Sequence, residues 1–157
     1  MANNNEHEYL TKEKYEELVK ELDYLKKVKR KEVAESLEYA KSLGDLSENA
    51  EYQDARELQG NTEDRISKLD LILKSAEIVS SYHGANIRIG STVTIQKKGE
   101  MGNKIYKIVG SEEADMSSGK LSNKSPIGEA LMGKAKGDIF SFSTPGGVMT
   151  YKIIDVK

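Results

Sequence analysis

The chain has 157 residues, of which 32% are charged and 37% hydrophobic, with a formal net charge of −2. That length suits one ordinary domain or two small ones, and a near-neutral charge argues against bulk coating of nucleic acid as the main activity. There is no cysteine and the only histidines are His7 and His83, which excludes disulfides, thiolate metal sites and a cysteine nucleophile and disfavours a histidine-rich metal centre.

The first residues, Met1-Ala2-Asn3-Asn4-Asn5-Glu6, lack the basic and apolar regions of a signal peptide. No run is apolar enough to cross a bilayer, so a cytoplasmic protein is expected. Thr11 reads as a helix N-cap, with Leu10 able to staple onto Tyr15. Apolar residues then fall at Tyr15, Leu18, Leu22, Leu25, Val28, Val33, Leu37 and Ala40, and a second series runs Ala50, Ala55, Leu58, Ile66, Leu69, Leu73, Ala76. Spacings of three and four dominate both, the seam of a coiled coil rather than the alternation of a strand.

The two series mirror each other about a point between Asp45 and Leu46. Tyr15 falls opposite Ala76, Leu18 opposite Leu73, Leu22 opposite Leu69, Leu25 opposite Ile66, and Val33 opposite Leu58. An antiparallel hairpin requires that symmetry. Each helix of about thirty residues would be roughly 45 Å long, and Gly44 sits where the first must end, at a position suited to a left-handed backbone. Ala40, Ala50, Ala55 and Thr62 thin the seam toward the tip, which predicts easier fraying there. Lys26-Lys27 and Lys29-Arg30-Lys31 form a basic band midway, better read as a solvated helix face than as a steering surface. At the fold-back, Gly44-Asp45-Leu46-Ser47-Glu48-Asn49-Ala50-Glu51-Tyr52 carries carboxylates at every third residue, Asp45, Glu48 and Glu51. Acids held at the end of a long arm, far from any core, suggest a tool for reaching into something else.

The hairpin is assigned to residues 1–79, with its acidic tip at 44–52, and residues 80–84 to a linker where helical periodicity is lost. Residues 85–157 read as a compact α+β domain. Ile87-Arg88-Ile89, Thr92-Val93-Thr94-Ile95 and Lys104-Ile105-Tyr106-Lys107-Ile108-Val109 are strand material. Ser125 caps a short helix opened by Pro126 and closed by Gly133. Residues 139–143 and 148–154 flank Pro145-Gly146-Gly147 as a hairpin with a tight turn, Phe140 and Phe142 alternating onto the core face. Gly119-Lys120 and Gly146-Gly147 are turn glycines, with no phosphate-loop motif after them.

These halves, in this order, resemble the bacterial Gre transcript-cleavage factors, a family of transcription elongation factors, most closely the GreA type. The tip from Gly44 to Tyr52 and the following Ala55-Arg56-Glu57 carry the resemblance in the first half. Ile108-Val109-Gly110, Gly119-Lys120-Leu121-Ser122, the run from Ser125 to Gly133, and Tyr151-Lys152-Ile153 carry it in the second. Met116-Ser117-Ser118 departs from the acidic or proline-containing residues common there, and the first nine residues are a variable extension.

The resemblance implies an antiparallel coiled coil that enters the secondary channel of RNA polymerase, and an FKBP-like C-terminal domain that docks at the channel mouth. It implies a factor, monomeric when free, that is not itself an enzyme. Such a factor activates the polymerase's own cleavage of the 3′ end of backtracked nascent RNA and so rescues arrested complexes. A homologue that occupies the channel and inhibits or competes is the alternative, which intact Asp45 and Glu48 disfavour. A prolyl isomerase would need an aromatic-lined pocket, which Phe140 and Phe142, the only phenylalanines, cannot supply.

Phosphodiester hydrolysis by two metals needs one ion for the attacking water and one for the leaving oxygen, and added carboxylates can fix a loosely held magnesium. Asp45 and Glu48 are therefore assigned to holding the second Mg²⁺ of the polymerase active centre and orienting water. The chain needs no cofactor of its own. Asn49 and Glu51 are assigned to positioning the tip, Tyr52 to packing at its base, and the resemblance suggests that Lys41 and Arg56 contact phosphates of the RNA. On spacing alone a capping box, with Asp45 as cap and Glu48 reaching back, is the better reading of those two acids. The flanking motif favours the catalytic one, and the two need not exclude each other.

Overall fold

A computed structural model describes residues 7–44 and 46–157. Contacts divide the chain into two compact units: Tyr15–Ser75, and the described residues up to Lys14 together with Ala76–Lys157. The first is helical and the second is built on a β-sheet, the expected α+β pairing.

The helical unit contains α1 (Lys12–Tyr24, its first residues counted with the other unit), α2 (Arg30–Ser42) and α3 (Ala50–Ser75). α1 and α2 are joined by a single π turn, Leu25–Lys29, through which the backbone stays helical at Tyr24, Lys29 and Arg30. Val28, expected in the seam, lies inside this turn and is 42% exposed. Beyond it the seam resumes with Val33, Leu37 and Ala40 buried, the extra residue of a π turn shifting the register between Leu25 and Val33. α3 runs antiparallel to this rod: Glu21 meets Arg65, Arg30 meets Glu63, and Ala40 meets Asn49.

The buried face of α3 is Ala55, Thr62, Ile66, Leu69 and Ile72. Leu58, expected against Val33, is instead 39% exposed, and Val33 shares its buried cluster with Leu37 and Ala55. Thr62 takes an inner position because its hydroxyl donates to the Leu58 carbonyl at 2.7 Å, so no polar group is stranded. The basic band is largely neutralised: Lys26 pairs with Asp70, Lys27 with Asp23, Lys29 with Glu32, and Arg30 makes two bonds to Glu63 at 2.7 and 2.6 Å.

In the second unit, β1 (Glu8–Leu10) pairs in parallel with β2 (Ala76–Ile78). Neither strand was expected; three-residue strands are too short to show a period, and Ala76 reads as a continuation of the helix. Leu10, expected as a staple, is a fully buried strand residue. Thr11 does cap α1, accepting from Lys14 N at 3.2 Å, and its own N–H and hydroxyl donate to Glu113.

The main sheet contains β3 (Thr92–Lys97), β4 (Asn103–Val109), β5 (Lys120–Ser122), β6 (Ile139–Thr144) and β7 (Gly147–Val156). The strand order is β5-β4-β3-β7-β6, with β4 and β5 parallel and the other neighbours antiparallel. Its core comprises Ile87, Val93, Ile95, Ile108, Leu121, Leu131, Phe140, Tyr151 and Ile153. Helix α4 (Pro126–Leu131) begins as expected, Ser125 Oγ accepting from Gly128 N at 3.1 Å, and packs on β6. A Cβ on Gly128 would collide with the Ser122 carbonyl, and one on Gly110 with the Tyr9 carbonyl, which explains these two glycines sterically. Phe140, Phe142 and Tyr151 stack on one another with centroids 5.7 to 6.3 Å apart.

Two readings of this half change. Residues 87–89 form no strand: Ile87 is a core residue reached by a loop anchored at the Asn86–Ala135 bridge. Residues 80–84, read as a linker, lie inside the sheet unit, where Tyr82 N donates to Gly90 O and Arg88 stands 5.2 Å over the Tyr82 ring. β5 also went unread, because Gly119 (φ +70°) is indeed a turn and only three residues of strand follow it.

Candidate functional site at the hairpin tip

The tip is made by ending one helix and starting the next within a few residues. α2 closes with Leu43 N donating to Ala40 O at 3.2 Å, and Gly44 follows at φ +129°, a backbone that side chains disfavour. Leu46, Ser47 and Glu48 form a turn, and α3 starts at Ala50. Asn49 clamps both helices. Its Oδ1 accepts from Tyr52 N at 3.0 Å, as an N-cap does, while its Nδ2 donates to Ala40 O at 2.6 Å. The Gln53 side chain, not singled out from sequence, donates to Leu46 O at 3.2 Å and ties the turn to the first turn of α3.

This geometry changes the capping expectation. With Asn49 at the cap, Glu48 precedes α3 and is not its third residue. Glu48 is exposed and belongs to the turn. Asp45 lies outside the described residues. Glu51 is exposed in the first turn of α3, where the helix dipole favours an acid. An asparagine directly before a helical run was the available sign of the cap; the latch from Gln53 had no sequence sign.

Lys41, in the last turn of α2, and Arg56, on α3, are exposed on opposite helices, and the charge of each acts on Tyr52. The Arg56 guanidinium hydrogen-bonds the Tyr52 hydroxyl, and its charge, with that of Lys41, holds this phenol below the usual tyrosine range. The Tyr52 ring packs against Val33, Leu37 and Ala55, the base position expected for it. Among the described residues no group of three or more His, Cys, Asp or Glu side chains converges to hold a metal ion. No helix among them is long and apolar enough to cross a membrane.

Two family models match the chain: "Transcription elongation factor, N-terminal" over residues 8–78, and "Transcription elongation factor, GreA/GreB, C-term" over residues 83–157. The transcription elongation factor GreA of Streptococcus gordonii is 49% identical over 150 residues, covering 94% of each chain. That of Roseiflexus sp. is 44% identical over 151 residues, covering 95% of this chain and 96% of the relative. Among solved structures, GreA factor homolog 1 of Thermus thermophilus is 27% identical, covering 96% of this chain and 99% of the other, with a TM-score of 0.44.

Proposed function

The chain belongs to the GreA/GreB family of transcription elongation factors, and from that premise we propose that it inserts its helical hairpin, as a coiled coil, into the secondary channel of RNA polymerase. It is a transcription elongation factor. In this reading the FKBP-like sheet unit docks at the channel mouth, and the tip stimulates the polymerase's intrinsic cleavage of backtracked RNA. The factor acts in the cytoplasm, as a monomer, and cleaves nothing alone.

The observation that carries the reading is a clamped turn that presents Glu48 to solvent instead of using it in a cap. Asn49 anchors that turn to both helices, so the carboxylate is delivered in a defined place rather than on a fraying end. A carboxylate is a hard oxygen donor and fits magnesium. A Mg²⁺ held in the polymerase active centre would activate the attacking water and stabilise the leaving oxygen. Glu48, with Asp45, serves as an added oxygen ligand and orients water; Glu51 and Asn49 position the turn. Lys41 and Arg56, whose charges both act on Tyr52, meet phosphate oxygens of the extruded RNA.

The test is RNA cleavage in a defined backtracked complex with Glu48→Ala, alongside a polymerase-binding measurement. The expected result is a loss of stimulated cleavage on the order of 10–100-fold with binding retained. Near-normal cleavage at full occupancy would remove the carboxylate from the mechanism.

A further inference from the structure

The distal hairpin has a second side. Ser36, Tyr39 and Ala40 of α2 and Glu51, Asp54, Ala55 and Leu58 of α3 line an open groove of about 340 Å³. Two large apolar side chains in it stay in solvent, Tyr39 at 65% exposure and Leu58 at 39%. Leu43, one turn beyond Tyr39, is 51% exposed. Tyr39 and Lys41 are two residues apart on one helix, as are Asp54 and Arg56 on the other, so each pair points to opposite sides, about 200° apart. The tip half thus carries lysine, arginine and a phenol on one side, and apolar surface edged by acids on the other.

We propose that this groove is a protein-docking surface that takes a segment of RNA polymerase bearing an apolar anchor beside lysine or arginine. It rests on the reading above, in that the hairpin is taken to enter the polymerase. The charge pattern selects the occupant. Glu51 and Asp54 have no ion-pair partner among the described residues, and acids at the rim repel a phosphate backbone while matching a basic segment. Exposed tyrosine and leucine over a concave floor of alanines supply the apolar centre that such an interface needs. The polar atoms nearby are already engaged: Ser36 Oγ donates to Glu32 O at 2.9 Å, so the floor presents little competing polarity. Docking is thereby given to one face of the tip half and the phosphate-contacting Lys41 and Arg56 to the other.

The test compares Tyr39→Ser, Leu58→Ser and Asp54→Lys with the unaltered chain, measuring the concentration that half-saturates core RNA polymerase and, separately, the cleavage plateau at saturation. All three sites are exposed, so folding is retained and is checked by thermal melting. The expected result is a roughly tenfold rise in half-saturating concentration for the two apolar substitutions, with the plateau unchanged. Asp54→Lys also weakens binding and flattens its salt dependence. Unchanged half-saturation for both apolar substitutions overturns the proposal. So does tighter binding by Asp54→Lys, which would assign the groove to nucleic acid, or a dimer of the unaltered chain in sedimentation that Tyr39→Ser dissolves. Glu48→Ala run in parallel separates the two claims: it is judged on cleavage, and the groove on binding alone.

Discussion

The two units solve the burial problem differently. The sheet unit gathers nine buried side chains from five strands, a helix and a loop into one cluster. The hairpin buries a stripe instead: near its tip Val33, Leu37 and Ala55 form a cluster, farther along Leu18, Ile66, Leu69 and Ile72 are buried, and one inner position of α3 is a threonine. Beyond that threonine, Arg30–Glu63, Lys26–Asp70 and Glu21–Arg65 cross from helix to helix at the surface. A long arm can bury only one stripe per helix, so its stabilisation comes from that seam, with exposed ion pairs adding little each, whereas the sheet unit packs a shared core. That leaves much of each helix facing solvent.

The contrast can be broken most forcefully in the sheet. Leu121→Ala, at a fully packed position, is expected to cost about 3–4 kcal/mol, against about 2 kcal/mol for Leu37→Ala in the seam, where a neighbouring turn can relax. Chemical unfolding followed by a probe in each unit measures both, and equal costs would contradict the difference in packing. Next in size is Asn49→Ala, which removes both the cap and the tie to Ala40. A loss of about 1–2 kcal/mol should be confined to faster hydrogen exchange at residues 40–53, leaving β3 and β7 protected.

Thr62→Val sharpens the comparison in the other direction. Replacing the buried hydroxyl with a methyl group should stabilise the hairpin by about 0.5–1 kcal/mol, seen as a higher melting temperature of the helical signal. The smallest effect lies in the sheet unit. Asp115 accepts from the hydroxyls of Ser117 and Ser118 and from Ser117 N, which lowers its pKa from 3.8 to about 2. Because the folded value is depressed, the contribution is present above pH 3.8 and disappears as pH falls toward about 2. Carboxyl NMR should place that midpoint, and Asp115→Asn should flatten the acid limb of stability.

Much of the hairpin was legible because its signal is local and repeated. Periodicity placed the fold-back between the two helices, and Thr11, Ser125 and Pro126 acted where they were expected. The five-residue step from Val28 to Val33 was also written there, as the one break from threes and fours in the first apolar series, and the π turn overlaps its start. Leu58 was misplaced because pairing by reflection assumes two regular helices. At the tip, the motif pointed to Glu48 and Asn49, yet spacing assigned the cap to Asp45; the cap went to the residue directly before α3.

The amino-acid order alone determined two long apolar stripes, the interruption between them, the acidic tip and the family motifs, since each depends on residues a few positions apart. Only the folded chain decided that Glu8–Leu10 pairs with Ala76–Ile78, that Glu113 receives Thr11, that Gln53 latches Leu46, and that Tyr39 and Leu58 share a groove. Those outcomes join groups distant in sequence or on different helices, and their energies depend on which surfaces packing leaves adjacent. No local pattern carries that information.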